Sequence, residues 1–131
     1  MKRLRTVLLL STAIVALTAA AAQAADRVQA GQWETTITAG GRDRVMTHCV
    51  TDAEASAANG DEKTFRASIV KAAEDAGCTV KELKVSGNQV SSDGTCGGMQ
   101  STSTTIYHGD WYEQTSANGT KVHAKRVGAC Q

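Results

Sequence analysis

Closely spaced turn signals divide the second half of the chain into short segments, and this pattern constrains the fold most. Glycine-containing or Ser/Asn-containing turns occur at residues 86–88, 97–98, 109–110 and 118–119. The segments between them follow a period of two or are rich in Thr, as strands are. Strands that are joined by such short turns are antiparallel neighbours. The predicted strands cover residues 78–85, 89–96, 99–107, 110–116 and 121–127.

The first half predicts a hairpin followed by a helical segment. Residues 31–38 alternate with Trp33, Thr35 and Ile37 on one side, and after a turn at residues 39–41 a second strand covers residues 42–50. Thr51 and Glu54 have the spacing of a capping box, which opens a short helical turn. Residues 59–60 interrupt that turn.

A longer amphipathic helix is predicted over residues 64–76. Its apolar face carries Phe65, Ile69, Ala72, Ala73 and Ala76. Gly77 stands where a left-handed C-terminal cap belongs. The predicted fold class is therefore α+β: an antiparallel meander of about seven strands, strongly twisted or partly closed. The one amphipathic helix, about 64–76, is inserted after the second strand.

The first 24 residues predict export. Lys2, Arg3 and Arg5 precede an apolar run over residues 7–17, and small residues occupy the −3 and −1 positions of a cleavage site at Ala24. This is the pattern of a secretory signal peptide, so we expect a periplasmic protein that is cleaved after about Ala24. Residues 25–131 would then form a single domain. The apolar run is short for a membrane span, so no transmembrane segment is expected in the mature chain.

Composition limits the partners of the mature domain. The chain has 14 basic and 13 acidic residues, and three of the basic ones lie in the predicted signal peptide. The mature part therefore has a small negative net charge, which does not indicate a nucleic-acid binder. Large apolar residues are sparse, and Phe65 is the only Phe.

A domain with so few large apolar residues needs additional stabilisation, and four cysteines can supply it: Cys49, Cys78, Cys96 and Cys130. An even number of separated cysteines in an exported chain predicts two disulfides. In the commonest pairing each bond closes a loop of roughly thirty residues, which contributes on the order of 3–4 kcal/mol. A metal site is the alternative, but the chain has no C-x-x-C and no zinc-type spacing.

The favoured pairing joins Cys49 to Cys78 and Cys96 to Cys130, since the first bond would clamp the helical segment to the sheet. The rival pairs Cys78 with Cys96 across one hairpin. With Val85 opposite Val90, the register places Cys78 and Cys96 on different faces, which argues against this pairing unless a bulge intervenes.

Four blocks together resemble the domain-of-unknown-function family 3617. They are the opening Gly-Gln-Trp-Glu at 31–34, Met-Thr-His-Cys-Val-Thr at 46–51, the hairpin from Cys78 to Val90 that runs on to Cys96, and the ending Arg-Val-Gly-Ala-Cys at 126–130. The resemblance implies a small exported proteobacterial protein with disulfides. It supplies no activity, ligand or catalytic residue. The chain departs from the family pattern in the polar return strand at residues 91–94 and in its short first hairpin turn.

No catalytic, cofactor-binding or metal-binding residue is predicted. Each candidate base, His48, His108 and His123, sits in or beside a strand without a nucleophile or carboxylate at a diagnostic spacing. The Ser/Thr-rich stretches contain no G-x-S-x-G turn. The candidate acids Glu34, Asp43 and Asp110 are read as solvated side chains.

Trp111 and Tyr112 give the one candidate binding surface. Adjacent strand residues point to opposite faces, so at least one ring should be exposed, while Trp33 is expected in the core.

These observations lead to a non-catalytic periplasmic domain that binds a small apolar ligand or maintains the envelope together with an envelope protein. The alternative is a protein-interaction module that uses an exposed sheet edge. An enzyme or redox protein would need clustered titratable groups or a reactive cysteine pair, and the sequence indicates neither. No cofactor is expected.

Overall fold

The computed structural model describes residues 26–131 and contains one seven-stranded antiparallel sheet and two helices. The strands are β1 (Gly31–Ala39), β2 (Arg42–Val50), β3 (Cys78–Ser86), β4 (Gln89–Cys96), β5 (Met99–Tyr107), β6 (Trp111–Ser116) and β7 (Lys121–Gly128), and the helices are α1 (Asp52–Asn59) and α2 (Glu62–Asp75). All seven predicted strands are present. The predicted signal peptide, residues 1–24, lies outside the described residues.

The sheet is open. Its strand order is β2-β1-β7-β6-β5-β4-β3, so β2 and β3 form the two edges. Of the two predicted forms, strongly twisted or partly closed, partial closure is therefore not present in the described part of the chain. Strands β3 to β7 form a continuous meander, and β1 then pairs with β7. The two helices carry the chain from one edge strand to the other. Among residues 26–131, neither helix is long and apolar enough to cross a membrane.

The helical segment contains two helices where one was expected. The capping box at Thr51 is present, but the turn that it opens extends into the full helix α1. The chain then breaks at Gly60, and the Asp61 side chain accepts the Thr64 amide to start α2 two residues earlier than predicted. That hydrogen bond lowers the pKa of Asp61. Gly77 adopts the expected left-handed conformation, with φ of 79°.

A row of aromatic rings forms the core between α2 and one face of the sheet, here called the helix face. Phe65 meets Tyr107 edge-on at 5.8 Å, Tyr107 lies 5.5 Å from Tyr112, and Tyr112 lies 5.8 Å from Trp33. Trp33 and Phe65 are the largest fully buried side chains. The core role predicted for Trp33 and the docking of Phe65 are thus confirmed. Ile69 is only half-buried.

The disulfides join Cys49 to Cys130 and Cys78 to Cys96, so the favoured pairing is wrong and the rival across the hairpin is present. The reason is a β-bulge. Val85 pairs with Val90 as expected, but the register shifts between Val80 and Glu82, where Lys81 is the extra residue. Beyond this point Cys78 stands opposite Cys96 on the helix face.

The N-terminal segment is fastened to the helices by Arg27 and Asn59. The Asn59 side chain accepts the amides of Arg27 and Val28 at 2.7 and 2.9 Å and donates to the Val28 carbonyl at 2.6 Å. Arg27 is 5% exposed. Its guanidinium lies 4.0 Å from the centre of the Phe65 ring and donates to three backbone carbonyls of the surrounding loops.

Candidate functional site

A cleft of about 370 Å³ separates α2 from the helix face of strands β3 to β6. It opens to solvent. Three residues of α2 and its C-terminal cap form one wall, namely Ile69, Ala72, Ala73 and Ala76. Hydroxyl and amide side chains of the sheet form the facing wall, namely Ser92, Ser101, Ser103, Thr105 and Gln114. We call these two sets the helix wall and the sheet wall.

The cleft exists because both walls are built from small residues. Phe65, near the start of α2, reaches across to Tyr107. Farther along the same helix face stand alanines, and the sheet opposite carries serines and Gly94. Helix and sheet therefore meet at Phe65 and leave the space beside Ala73 unfilled.

The sheet wall offers hydrogen-bonding groups that are partly satisfied by each other. The hydroxyls of Ser92 and Ser103 lie 3.2 Å apart, and the Thr105 hydroxyl donates to the Gln114 side-chain carbonyl at 3.3 Å. A hydroxyl has one donor and two acceptor sites, so each of these groups keeps capacity for a further partner.

The walls of the cleft are uncharged at neutral pH. Burial raises the pKa of Tyr107, which lines the cleft, to about 12 and keeps its phenol neutral. Asp93 also borders the cleft, but its carboxylate accepts from Thr102 at 3.1 Å and Gln100 at 3.5 Å on the opposite face of the sheet. Lysine, arginine and histidine are absent from the lining of this cleft within the described residues.

Trp111 and Tyr112 lie on opposite faces of β6, as the strand period predicts. Tyr112 faces the helix side, and Trp111 faces the other side, here called the open face; each is half-buried. On the open face, His108 stacks on Trp111 at 3.7 Å, and His123 lies 5.6 Å from Trp111. Two of the three histidines thus gather around one tryptophan.

The other candidate titratable residues are dispersed. His48 pairs with Trp33 across the β1–β2 ladder. Glu34 forms a salt bridge of 3.5 Å with Lys125, and Asp43 accepts the Thr38 hydroxyl at 2.6 Å. In residues 26–131, no group of three or more His, Cys, Asp or Glu side chains is arranged to hold a metal ion.

Strand β2 is a second candidate surface. It is an edge strand of nine residues whose side chains are exposed on both faces as far as Cys49. Val45 is 58% exposed and Met46 is 39% exposed. An edge of this kind presents unpaired backbone groups to another strand.

Sequence reasoning did not identify the residues that line the cleft, although two signals pointed to them. The polar return strand at residues 91–94 supplies Ser92 and Gly94, and the alanines of the amphipathic helix supply the opposite wall. If the return strand and the helix had been placed opposite each other, their small residues would have predicted an unfilled space between helix and sheet. Arg27 gave no signal, because its burial depends on loops distant in sequence.

Comparison with protein families finds a match over residues 28–130 to the family described as "Protein of unknown function (DUF3617)". Comparison with curated proteins and with solved structures finds no match. The match spans all seven strands, both helices and all four cysteines, which agrees with the resemblance seen in the sequence blocks. The chain therefore belongs to the DUF3617 family of proteins of unknown function.

Proposed function

We propose that this protein is an exported, non-catalytic module that binds a small ligand in the cleft between α2 and the sheet. The proposal rests on the cleft of about 370 Å³, which is lined on one side by small apolar residues and on the other by hydroxyl groups. Ala72, Ala73 and Ala76 line one side, and Ser92 and Ser103 line the other. Ligand sites are concave, and roughly 300–1,000 Å³ is typical for them.

The rest of the domain supports this assignment. Protein interiors are normally close-packed, and unfilled space forfeits favourable contacts. Within residues 26–131, only five apolar residues are buried: Trp33, Ala55, Phe65, Val90 and Ala124. A domain with so small a core gains from each additional packed side chain, so a cleft left open beside that core is best explained by an occupant.

Mass spectrometry of the protein under native conditions tests the binding site. The mature protein, isolated from the periplasm, should carry a non-covalent ligand or should take one up from an envelope extract. Ser103→Leu and Ala73→Leu, which fill the cleft from its two walls, should each abolish the added mass. Thr102→Leu, on the open face of the same strand as Ser103, is the matched control and should retain it. Equal occupancy in all four proteins would refute the cleft as the site.

Export is part of the proposal and has its own test. The intact mass of the periplasmic form should correspond to a chain that begins at or near Ala25. Retention of residues 1–24 in that form would contradict it.

A second candidate function is strand addition at β2, in which an extended segment of an envelope protein pairs with the exposed edge. The exposure of Val45 and Met46 favours it. Amide hydrogen exchange in a periplasmic extract should then slow across residues 42–50, and Val45→Lys should remove the protection by placing a charge on the edge. Unchanged exchange in the wild-type protein would exclude this function.

A further inference from the structure

The two walls of the cleft differ in chemistry, and this difference restricts what can bind between them. Resting on the function proposed above, we infer that the ligand is an uncharged amphiphile. Its hydrocarbon part lies against α2, and its hydroxyl or carbonyl group faces the sheet wall.

The helix wall selects hydrocarbon. Ile69, Ala72, Ala73 and Ala76 present only aliphatic groups, and Val80 and Val90 add apolar surface to the lining of the cleft. Covering this surface removes apolar area from water, which is favourable at about 25 cal/mol per Å². A ligand that was polar on all sides would leave this contribution unused.

The sheet wall requires a polar group on the other side of the ligand. Ser92, Ser103 and Thr105 place hydroxyls along neighbouring strands. Their mutual hydrogen bonds leave donor and acceptor sites open. A pure hydrocarbon that covered them would strip water from these sites without replacing its hydrogen bonds, which is unfavourable. A hydroxyl or carbonyl on the ligand replaces that water.

Charge on the ligand is excluded by the surroundings of the cleft. An ion that enters the cleft loses hydration free energy, and without a counter-charge no interaction there offsets this loss. Asp93 directs its carboxylate to the open face, and Arg66, on α2, donates to the Leu83 carbonyl. Neither therefore supplies a charge to the interior of the cleft.

Three probes that share a decyl chain test the inference: decanol, undecanoate and decyltrimethylammonium. Binding to the mature protein is measured by titration calorimetry below the aggregation concentration of each probe. The buffer is at neutral pH, where the carboxyl group of the acidic probe is ionised. We expect decanol to bind at least about ten-fold more tightly than either ion, because each ion would lose hydration without gaining a counter-charge. Ten-fold corresponds to about 1.4 kcal/mol. Ser103→Leu should abolish decanol binding, while Thr102→Leu leaves it unchanged.

The sheet wall is tested by a variant that keeps the space open. Ser103→Ala removes one hydroxyl and should weaken decanol binding by about three-fold or more, as loss of a hydrogen bond does. It should not change the weak binding of the two ions by a comparable factor. Equal loss for all three probes would overturn the role of the hydroxyl.

The outcomes separate this inference from the proposed function. If either ion binds as tightly as decanol, the inference that the ligand is uncharged is overturned. It is also overturned if decanol fails to bind although Ser103→Leu removes the native ligand. In both cases the cleft remains a binding site. If decanol fails and no variant of the cleft changes the native mass spectrum, the inference and the proposed function fall together.

Discussion

Replacing Arg27 with alanine is expected to destabilise the domain by about 3–5 kcal/mol, because three backbone carbonyls and the Phe65 ring lose a charged partner. Its Nε donates to Gly87 at 3.1 Å, and its Nη1 donates to Ala58 at 2.9 Å and to Gly60 at 3.3 Å. Hydrogen bonds from a charged donor contribute about 1.5–3 kcal/mol each, and the contact with Phe65 adds about 0.5–2 kcal/mol. The desolvation of the guanidinium offsets several kcal/mol of that sum.

The geometry of the guanidinium, and not its charge alone, should carry this stability. Within residues 26–131 no acidic residue forms a salt bridge with Arg27. The planar, forked set of N–H donors of the guanidinium binds the three carbonyls instead. Arg27→Lys keeps the charge but not the fork, and it should still destabilise by about 1–3 kcal/mol. Arg44→Ala, an exposed arginine of β2, should change stability by less than about 0.5 kcal/mol.

Urea unfolding at neutral pH, followed by circular dichroism with both disulfides intact, measures these differences. A loss below about 0.5 kcal/mol for Arg27→Ala, the scatter of surface substitutions, would refute the reasoning. It would mean that the N-terminal segment does not hold the helices to the sheet. A lysine variant as stable as the wild type would show instead that charge, without the planar fork, is sufficient.

Three further predictions concern the core and the helices. Urea unfolding measures each, at neutral pH for Phe65 and Thr51 and over a series of alkaline pH values for Tyr107. Phe65→Ala should cost about 3–5 kcal/mol, whereas Lys71→Ala, on the exposed face of α2, should cost less than about 0.5 kcal/mol; equal costs would contradict the packing of α2. Because the folded pKa of Tyr107, about 12, exceeds its ordinary 10.0, stability that is full below pH 10.0 should fall as pH rises towards 12. Tyr107→Phe should reduce that fall by about 2–3 kcal/mol, and an unaltered fall would contradict the burial of the phenol. Thr51→Ala should cost about 1 kcal/mol through loss of the capping box, and no cost would show that the box is not formed in solution.

The strands were predictable because two local signals coincide. The period of two places Trp33 and Thr35 on one face, and the turns carry glycines whose φ is positive, such as 57° at Gly40. Both signals depend only on residues that are close in sequence. The helical caps at Thr51 and Gly77 were predictable for the same reason.

The features that sequence reasoning missed depend on distant contacts. The pairing of β1 with β7 joins residues 32–38 to residues 121–128, and no local pattern specifies it. The resulting order leaves β2 and β3 unpaired on their outer sides, which is why the sheet does not close. The burial of Arg27 likewise depends on carbonyls of residues 58, 60 and 87, which the fold brings together.

The bulge at Lys81 connects the disulfide with the character of the cleft. In an unbulged strand with Val85 on the helix face, alternation would turn Lys81 and Thr79 towards α2 and Cys78 away from it. The extra residue reverses this order, so Val80 and Cys78 face the cleft. Gly94 allows the bulge, because a Cβ there would overlap the Thr79 carbonyl oxygen. One inserted residue thus aligns Cys78 with Cys96 and keeps the Lys81 side chain out of the cleft. Within the residues that the structure describes, the walls of the cleft therefore carry no ammonium group, which agrees with the uncharged ligand that we infer.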